Sequence, residues 1–288
     1  MIAASRQRVS RLSLPSRPEW RNWHTRRTQN ALPERACGFE SHLRHPFASL
    51  PPCDTVAHMC GRYTLTNPDP GAIRSRFGLS EGTRIDQRPR FNIAPTSEVL
   101  AVRRTPEAES GSEVREAGFL RWGLVPSFAD PGTFDRLLIN ARSETVAEKP
   151  VFREAFSHGR CLITADGVYE WQKTDTGKRP HFFCLPERKL FAFAGISALA
   201  RGKDGGTLHS CSLLTCEPSE EVAPIHKRMP VILDPDSEEL WLAPETPEDE
   251  LLGLLAPLDG LEVRQVSEAV NSSRNEGPEL LEPPMNLF

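Results

Sequence analysis

The sequence lacks the features that mark several large classes of protein. Its longest apolar run, residues 190–200, has 11 residues and is too short to span a bilayer. Its seven cysteines include no Cys-x-x-Cys pair and fit neither a zinc module nor a disulfide framework. These absences exclude a membrane-spanning chain and a disulfide-stapled secreted domain. We therefore expect a cytoplasmic protein with reduced thiols.

The chain also has no excess of basic residues. Its 39 Asp and Glu oppose 35 Lys and Arg, which gives a net charge of −4. Residues 1–58 hold nine Arg and four acids (+5), and residues 59–288 hold 26 basic and 35 acidic residues (−9). This overall charge gives no support to nucleic-acid binding, so any contact with DNA requires a local basic groove.

Residues 1–58 differ in composition from the rest of the chain. They contain no Lys and show no apolar periodicity. Three interpretations are open: translated upstream DNA before a true start at Met59, an Arg-rich transit peptide, or a genuine disordered arm. We favour the first. The predicted organisation is a non-native or disordered extension, residues 1–58, followed by one folded domain, residues 59–288.

From Met59 onward, short strand patterns outnumber short helical patterns and do not alternate with them regularly. This order predicts an α+β fold with mostly antiparallel sheets, a β-rich core and flanking short helices, in a single domain. The strand patterns cover residues 61–66, 98–104, 116–125, 161–164, 168–173, 181–185, 190–197, 208–216, 230–233 and 261–266. The helical patterns cover residues 70–77, 150–157, 237–242 and 247–255.

Cys60 follows Met59 directly, and this position can give it a chemistry that no internal cysteine has. If translation starts at Met59 and that Met is removed, Cys60 carries a free α-amine beside its thiol. An α-amine has a pKa of about 7.7–8.0, so about a third of it is unprotonated near pH 7.5. The amine can attack an aldehyde, and the thiol can then close a thiazolidine ring. The alternative is a buried, inert cysteine.

Asn140 and Arg142 follow the apolar residues 137–139, where a strand is expected to end. The Asn140 amide can hold a substrate or an N-terminal residue by hydrogen bonds, and Arg142 can bind a phosphate. The alternative is a turn Asn with a solvated Arg.

Glu170 and His226 are candidates for proton transfer. Alternation along residues 166–171 puts Tyr169 and Trp171 on one face of a strand and Glu170 on the other, with Val168. A carboxylate in such a strand can move protons, and the imidazole of His226 can do so near neutral pH. The alternatives are a solvent-facing Glu and an ordinary loop His, with Lys227 and Arg228 contacting phosphates.

A second group of candidates is suited to DNA binding: Arg62, Asn92, Arg121 and Trp122. Arg62 lies two residues after Cys60, so a phosphate that it binds would bring DNA beside the N-terminus. Trp122 can stack on a base. The alternative for Trp122, which we favour on the residue alone, is a place in the core.

Taken together, these segments resemble the SRAP family, the SOS response-associated peptidases or abasic-site processing proteins. The resemblance covers residues 59–283 in order. Its motifs are MCGRY (59–63), FNIAP (91–95), RWGLVP (121–126), INARSET (139–145), DGVYEW (166–171) and IHKRMP (225–230), with further matches at 161–163 and 266–271.

The resemblance implies a DNA-damage protein that crosslinks covalently to abasic sites in single-stranded DNA. By matching position, Cys60 is the nucleophile, Asn140 orients it, and Glu170 and His226 move protons. Arg62, Asn92, Arg121, Trp122 and Arg142 are implied to bind DNA. It implies no metal and no organic cofactor. We expect a monomer that has no membrane partner and joins the nucleoid when DNA is damaged.

The sequence departs from the family pattern at one place. Cys60 is internal as written, so residues 1–59 must be absent or removed before it has a free amine. One alternative is an N-terminal-nucleophile hydrolase or autopeptidase, in which the Cys60 thiol attacks an amide. Another is a single-strand DNA-binding module without enzymatic activity, against which the acidic balance argues.

Overall fold

The computed structural model describes residues 61–106 and 113–284. The predicted extension, residues 1–58, and the candidate nucleophile Cys60 lie outside these described residues. Within them, no helix has the length and apolar character needed to cross a membrane.

The described residues form many strands and a few short helices. The strands are β1 (Arg62–Leu65), β2 (Arg90–Ile93), β3 (Glu98–Pro106), β4 (Glu113–Trp122), β5 (Asn140–Arg142), β6 (Arg160–Ala165), β7 (Gly167–Thr174), β8 (Gly177–Cys184), β9 (Phe191–Arg201), β10 (Thr207–Cys216), β11 (Met229–Pro230), β12 (Ile232–Leu233) and β13 (Glu262–Gln265). The helices are α1 (Pro70–Phe77), α2 (Pro150–His158), α3 (Pro235–Leu242) and α4 (Glu248–Gly253). Every predicted strand or helix overlaps one of these elements, whereas β2 and β5 lie outside the predicted patterns.

Local sequence explains where helices α1 and α3 begin. The side chains of Asp69 and Asp234 accept hydrogen bonds of 2.7–3.0 Å from backbone N–H groups of the first turn. A proline follows each cap, where a missing N–H costs nothing. Helix α1 ends at Gly78, whose φ of +62° lies in the left-handed region that favours glycine.

The strands form a five-stranded sheet and a small barrel. The sheet has the order β13-β8-β7-β1-β2, with every neighbouring pair antiparallel. Strands β10, β4, β3, β6 and β9 are consecutive neighbours, and pairing of β9 with β10 closes them into the barrel. Strand β10 runs parallel to β4 and β5, and the other pairs are antiparallel. The predicted α+β fold with mostly antiparallel sheets is confirmed.

Both faces of the five-stranded sheet are covered. On one face, Tyr63 of β1 contacts Trp122 of β4 and Phe193 of β9, with ring centroids 5.4 and 5.5 Å apart. These rings belong to the main hydrophobic core, which the sheet and the barrel share. On the other face, Tyr169 and Val270 belong to a smaller core. Residues 266–281, which we call the C-terminal segment, complete this core. Alternate residues of β1 and β7 therefore enter different cores.

Candidate functional site

Strand β1 runs beside β7, the strand that carries Glu170. Arg62 pairs with Tyr169, and Tyr63 pairs with Val168. The next pair in the same register is Gly61 with Glu170, and Gly61 is buried. In the sequence, Cys60 directly precedes Gly61, the residue opposite Glu170 in this register.

Glu170 is buried on the barrel side of the sheet. Its neighbour Val168 belongs to the main core, and Tyr169 and Trp171 contact the smaller core on the opposite face. This is the alternation that the sequence predicts. Glu170 is only 3% exposed, which excludes the solvent-facing alternative. Its Oε1 lies 4.0 Å from Nδ1 of His226, so the structure brings these two candidates together.

The loop of His226 is held against β7 at a second point. Gln172, two residues after Glu170 on the same face, donates a 3.1 Å hydrogen bond from Nε2 to the Pro224 carbonyl. Nδ1 of His226 lies 3.0 Å from the carbonyl oxygen of Arg228. The backbone nitrogen of Arg228 lies 3.3 Å from the same Nδ1 and donates to it when the ring proton is on Nε2. A proton on Nδ1 instead satisfies the Arg228 carbonyl and leaves the lone pair of Nε2 as a proton acceptor. This arrangement suits an imidazole that exchanges protons with a bound molecule.

Arg228 ties the same loop to the barrel. Its guanidinium donates to both carboxylate oxygens of Glu144, at 2.5 and 2.9 Å, and to the carbonyl of Thr215 at 2.5 Å. The hydrogen bond from Arg228 is the main reason that the pKa of Glu144 is lowered. Arg228 is thus engaged within the protein, and of the two cations beside His226 it is Lys227 that is exposed.

Strand β5 brings Asn140 and Arg142 to the same end of the barrel. In the parallel register with β10, Asn140 pairs with Leu213 and Arg142 pairs with Thr215. Arg228 bonds the carbonyl of Thr215, so β5 and the His226 loop meet on β10. Asn140 is partly buried and Arg142 is exposed. The structure thus brings Glu170 and His226 together and links β5, which carries Asn140, to the His226 loop through β10. We call the region of Asn140, Glu170 and His226 the candidate site.

Arg62 and Asn92 lie on the opposite face of the sheet from Glu170. Nη1 of Arg62 donates to Oδ1 of Asn92 at 3.0 Å and to the Val270 carbonyl at 2.9 Å. Nδ2 of Asn92 donates to two carbonyls within residues 272–275, at 2.9 and 2.8 Å. Asn92 is 3% exposed, and its amide is fully used. The predicted DNA contact at Asn92 is therefore wrong: with Arg62, it holds the C-terminal segment in place.

Trp122 is inside the barrel and not on a binding surface. It is 1% exposed, its ring contacts Tyr63, and Nε1 donates a 3.0 Å hydrogen bond to the Ile139 carbonyl. A base cannot reach a buried indole, so the predicted base contact is wrong and the core alternative is correct. Arg121 is partly exposed and donates to the Gly123 carbonyl at 3.2 Å. Burial lowers the pKa of its guanidinium.

Phe128 is an exposed aromatic residue outside the predicted site. It is 67% exposed and lines a pocket of about 420 Å³ with Pro150, Arg153 and His158. Its sequence surroundings carried a signal: Pro, Asp and Gly residues within 126–132 predict a surface loop, in which an aromatic ring has little to pack against. The Arg153 guanidinium and the Glu154 carboxylate both line this pocket, and an exposed ring beside a guanidinium is suited to stacking on a base.

The cysteines among the described residues are poor nucleophiles. Cys161, Cys184, Cys211 and Cys216 are buried free thiols. Burial raises the pKa of Cys161 and of Cys216 to about 12 and also raises those of the other two. Because the thiolate is the reactive form, these thiols are inert near neutral pH. In the part of the chain that the structure describes, no cluster of three or more His, Cys, Asp or Glu residues can hold a metal ion.

Comparison with known sequences identifies relatives that match most of the chain. The sequence model of the SOS response associated peptidase (SRAP) family matches residues 59–273. The abasic site processing protein YoqW of Bacillus subtilis (strain 168) is 40% identical over 232 residues, which are 78% of this chain and 99% of that protein. The abasic site processing protein HMCES of Gallus gallus is 35% identical over 223 residues, 68% of this chain and 66% of that protein.

Solved structures show the same fold. A protein from Bacteroides thetaiotaomicron superposes with a TM-score of 0.68 at 22% identity, covering 78% of this chain and 100% of that one. A protein from Bordetella bronchiseptica gives a TM-score of 0.60 at 25% identity, covering 72% and 100%. The family match spans well over half of the sequence and includes the motifs of the candidate site. The chain belongs to the SOS response associated peptidase (SRAP) family.

Proposed function

We propose that this protein acts in the response to DNA damage by processing abasic sites in single-stranded DNA, as a monomer. The observation that carries the proposal is the buried Glu170 carboxylate, 4.0 Å from Nδ1 of His226 and level with the residue that follows Cys60. Relatives that are 35–40% identical are named abasic site processing proteins, which supports the same role.

The active form starts at Cys60. In this proposal residues 59–288 are the catalytic domain and residues 1–58 are a non-native or disordered extension. Met59 is then removed, which leaves the α-amine and the thiol of Cys60 on adjacent carbons. The buried, protonated thiols elsewhere in the described chain support Cys60 as the nucleophile, because none of them is activated.

The reaction joins Cys60 to the deoxyribose of the lesion. Opening of the sugar ring breaks the bond between C1′ and the ring oxygen, and the proton of the C1′ hydroxyl passes to that oxygen, which leaves an aldehyde at C1′. The amine attacks C1′, and loss of water gives an imine. The thiol sulfur then bonds to the same carbon, and its proton passes to the nitrogen. The product is a five-membered thiazolidine, and no oxidant or cofactor is required.

Glu170 and His226 supply the proton transfers in this sequence. A buried carboxylate can accept a proton from the attacking amine and return it to the departing water. His226 accepts the proton of the C1′ hydroxyl at Nε2 and passes it to the ring oxygen, while its Nδ1–H donates to the Arg228 carbonyl. Asn140 orients the N-terminal residue by hydrogen bonds from its amide. The imine also permits β-elimination, which gives the lyase activity that we propose for the same residues.

DNA binding uses exposed groups around the candidate site. Arg142 and Lys227 are exposed beside Asn140 and His226, and Arg121 is partly exposed. We assign base stacking to Phe128 in place of the buried Trp122. Arg62 contributes by holding the C-terminal segment, through its bond to the Val270 carbonyl. The basic groove that the acidic domain requires is thus built from a few local cations.

The test is intact-mass analysis of protein incubated with single-stranded DNA that contains one abasic site. A chain that starts at Cys60 should gain the mass of the oligonucleotide less one water and keep it in denaturant. Cys60→Ser keeps an amine and a hydroxyl but cannot form the thiazolidine. A chain with one alanine added before Cys60 keeps the thiol but moves the amine away from it. If either control forms the same stable adduct, or the unmodified chain forms none, the proposal fails.

A second candidate function is autopeptidase activity, favoured by the 59 residues that precede Cys60. The Cys60 thiol attacks an amide, and its own amine serves as the base once exposed. Purified full-length protein would then release residues 1–59 by itself, and Cys60→Ala would not. An intact full-length mass after prolonged incubation rules this candidate out without affecting the first.

A further inference from the structure

The tip of the β7–β8 hairpin carries cations that the proposed chemistry does not use. Lys173, Lys178 and Arg179 are all exposed. Asp175 is the acid in residues 172–179, so three positive charges and one negative charge give a net charge of +2. The domain that includes them, residues 59–288, has a net charge of −9. We call residues 172–179 the cationic arm.

Two cations of the arm face each other directly. Lys173 pairs with Lys178 in the antiparallel register of β7 and β8. Like charges directly opposite each other across two strands repel and weaken the pairing. Across residues 61–106 and 113–284, no carboxylate lies within ion-pair distance of Lys173, Lys178 or Arg179. An anion bound from outside the protein would relieve this repulsion.

The arm continues the strand that holds the candidate site. Lys173 is three residues beyond Glu170 on β7, which is about 10 Å along an extended strand. Arg179 pairs with Gln172, whose side chain shares the face of Glu170 and bonds the Pro224 carbonyl in the loop of His226. Arg179 therefore lies on the face of Glu170, whereas Lys173 and Lys178 lie on the opposite face, so the cations of the arm occupy both faces of the hairpin just beyond the candidate site.

We propose that the cationic arm binds the phosphate backbone of the DNA strand on one side of the abasic site. This proposal rests on the proposed function, because the lesion in the candidate site determines which DNA reaches the arm. Lysine side chains bind phosphates as point charges without reading the sequence, which suits a lesion that occurs in any sequence. An acidic protein would meet the same charges, but the position of Arg179 on the face of Glu170 favours the DNA strand that the site holds.

The experiment measures equilibrium binding of the full chain to oligonucleotides that carry a stable, unreactive abasic analogue. A short oligonucleotide is compared with oligonucleotides lengthened only on the 5′ side or only on the 3′ side. The arm variant is Lys173→Gln/Lys178→Gln. The matched control is Arg201→Gln/Lys203→Gln, which removes two exposed cations near the β9–β10 turn.

The unsubstituted chain should bind more tightly when the DNA is lengthened on one side only. The arm variant should lose that increase, keep its affinity for the short oligonucleotide within about twofold, and show a log-affinity versus log-salt slope shallower by about 1.4, from about 0.7 per lost phosphate contact. The control should match the unsubstituted chain in both respects.

Three results would overturn the arm proposal: an affinity that does not depend on length, an arm variant that keeps the full length effect, or a control that loses it equally. Failure of the proposed function has a different readout. In that case the chain that starts at Cys60 forms no crosslink with a reactive abasic site, even in the short oligonucleotide, whatever the arm variant does.

Discussion

The guanidinium of Arg228 and the carboxylate of Glu144 form a bidentate ion pair, with N–O distances of 2.5 and 2.9 Å. The two residues are 84 positions apart in the sequence. The backbone of Arg228 also contacts the imidazole of His226, with the Arg228 carbonyl 3.0 Å from Nδ1. Arg228 therefore connects β10 and the turn that follows β5 to the His226 ring. Glu144 therefore acts on that ring through Arg228.

Replacing Glu144 by Gln is expected to slow crosslinking about tenfold while DNA affinity changes little. The neutral amide forms weaker hydrogen bonds with the Arg228 guanidinium than the carboxylate does. Arg228 then positions the His226 ring less precisely for proton transfer. The measurement is the single-turnover rate of adduct formation as a function of pH. An altered pH profile, and not only a lower rate, distinguishes a displaced imidazole from a general loss of structure.

The matched control for this prediction is Glu148→Gln, which makes the same change at an exposed residue four positions along the chain. It should leave the rate and the pH profile unchanged. Equal effects of the two substitutions, or no effect of Glu144→Gln, would contradict the positioning role of the ion pair.

The same ion pair predicts a pH dependence of stability. The pKa of Glu144 is lower in the folded protein than in the unfolded chain, chiefly because Arg228 donates to its carboxylate. The stabilisation is therefore present above the unfolded pKa and is lost as the pH falls through the folded pKa. Glu144 is 48% exposed, and solvent screening keeps the contribution near neutral pH below about 1 kcal/mol. Denaturant unfolding should show a smaller loss of stability on acidification for Glu144→Gln than for the unsubstituted chain; parallel curves would contradict this.

Replacing Glu170 by Gln is expected to lower the crosslinking rate by about a hundredfold or more. The amide keeps the shape of the side chain but cannot accept and return a proton, and general acid–base catalysis typically contributes about 10²–10⁴-fold. Rapid-quench kinetics with reactive abasic DNA measures the effect. Glu262→Gln, an exposed substitution on β13 of the same sheet, is the control. A Glu170→Gln rate within threefold of the original would remove Glu170 from the mechanism.

Trp122 and Phe128 should have opposite roles. Trp122→Ala removes a buried ring and the hydrogen bond to Ile139, and is expected to lower the free energy of unfolding by about 3–5 kcal/mol. Phe128→Ala changes an exposed residue, so stability should stay within about 0.5 kcal/mol. Its loss should weaken single-strand binding by about 1–3 kcal/mol if the ring stacks on a base. Denaturant unfolding measures the free energy of unfolding, and fluorescence anisotropy measures the affinity for single-stranded DNA. An unchanged DNA affinity in Phe128→Ala would show that Phe128 does not stack on a base.

Alkylation should separate Cys60 from the buried thiols. A thiol with a pKa of about 12, as at Cys161 and Cys216, is about one ten-thousandth thiolate at pH 8 and is also shielded from reagent. Iodoacetamide should therefore label Cys60 in the native chain that starts there, and label Cys161 and Cys216 only after denaturation. Peptide mapping by mass spectrometry gives the answer. Native labelling of Cys161 as fast as that of Cys60 would contradict the burial argument.

Much of the fold could be predicted because its signals are local. Two-residue alternation marks β7, and the Asp-Pro caps mark the starts of α1 and α3. Strands β2, with four residues, and β5, with three, lie outside the predicted patterns. They are strands only because β1 and β10 offer them hydrogen-bonding partners.

The candidate site could also be predicted only in part. The sequence pattern placed Glu170 on the face opposite Tyr169, but it could not show that the barrel covers that face. It marked Asn92 and Trp122 as polar and aromatic residues in motifs suited to DNA, and the structure buries both. A motif records which residues occur together, and burial depends on what packs against them.

By itself, the sequence determined the family, the order of the motifs and the alternation that separates Glu170 from its neighbours. Only the tertiary structure decided that Glu170 meets His226, that Arg228 is held by Glu144, and that the ring of Phe128 is exposed. The physical reason is range. Strand alternation and helix caps depend on neighbours a few residues away, whereas ion pairs, burial and proton-transfer geometry depend on groups that only the folded chain brings together.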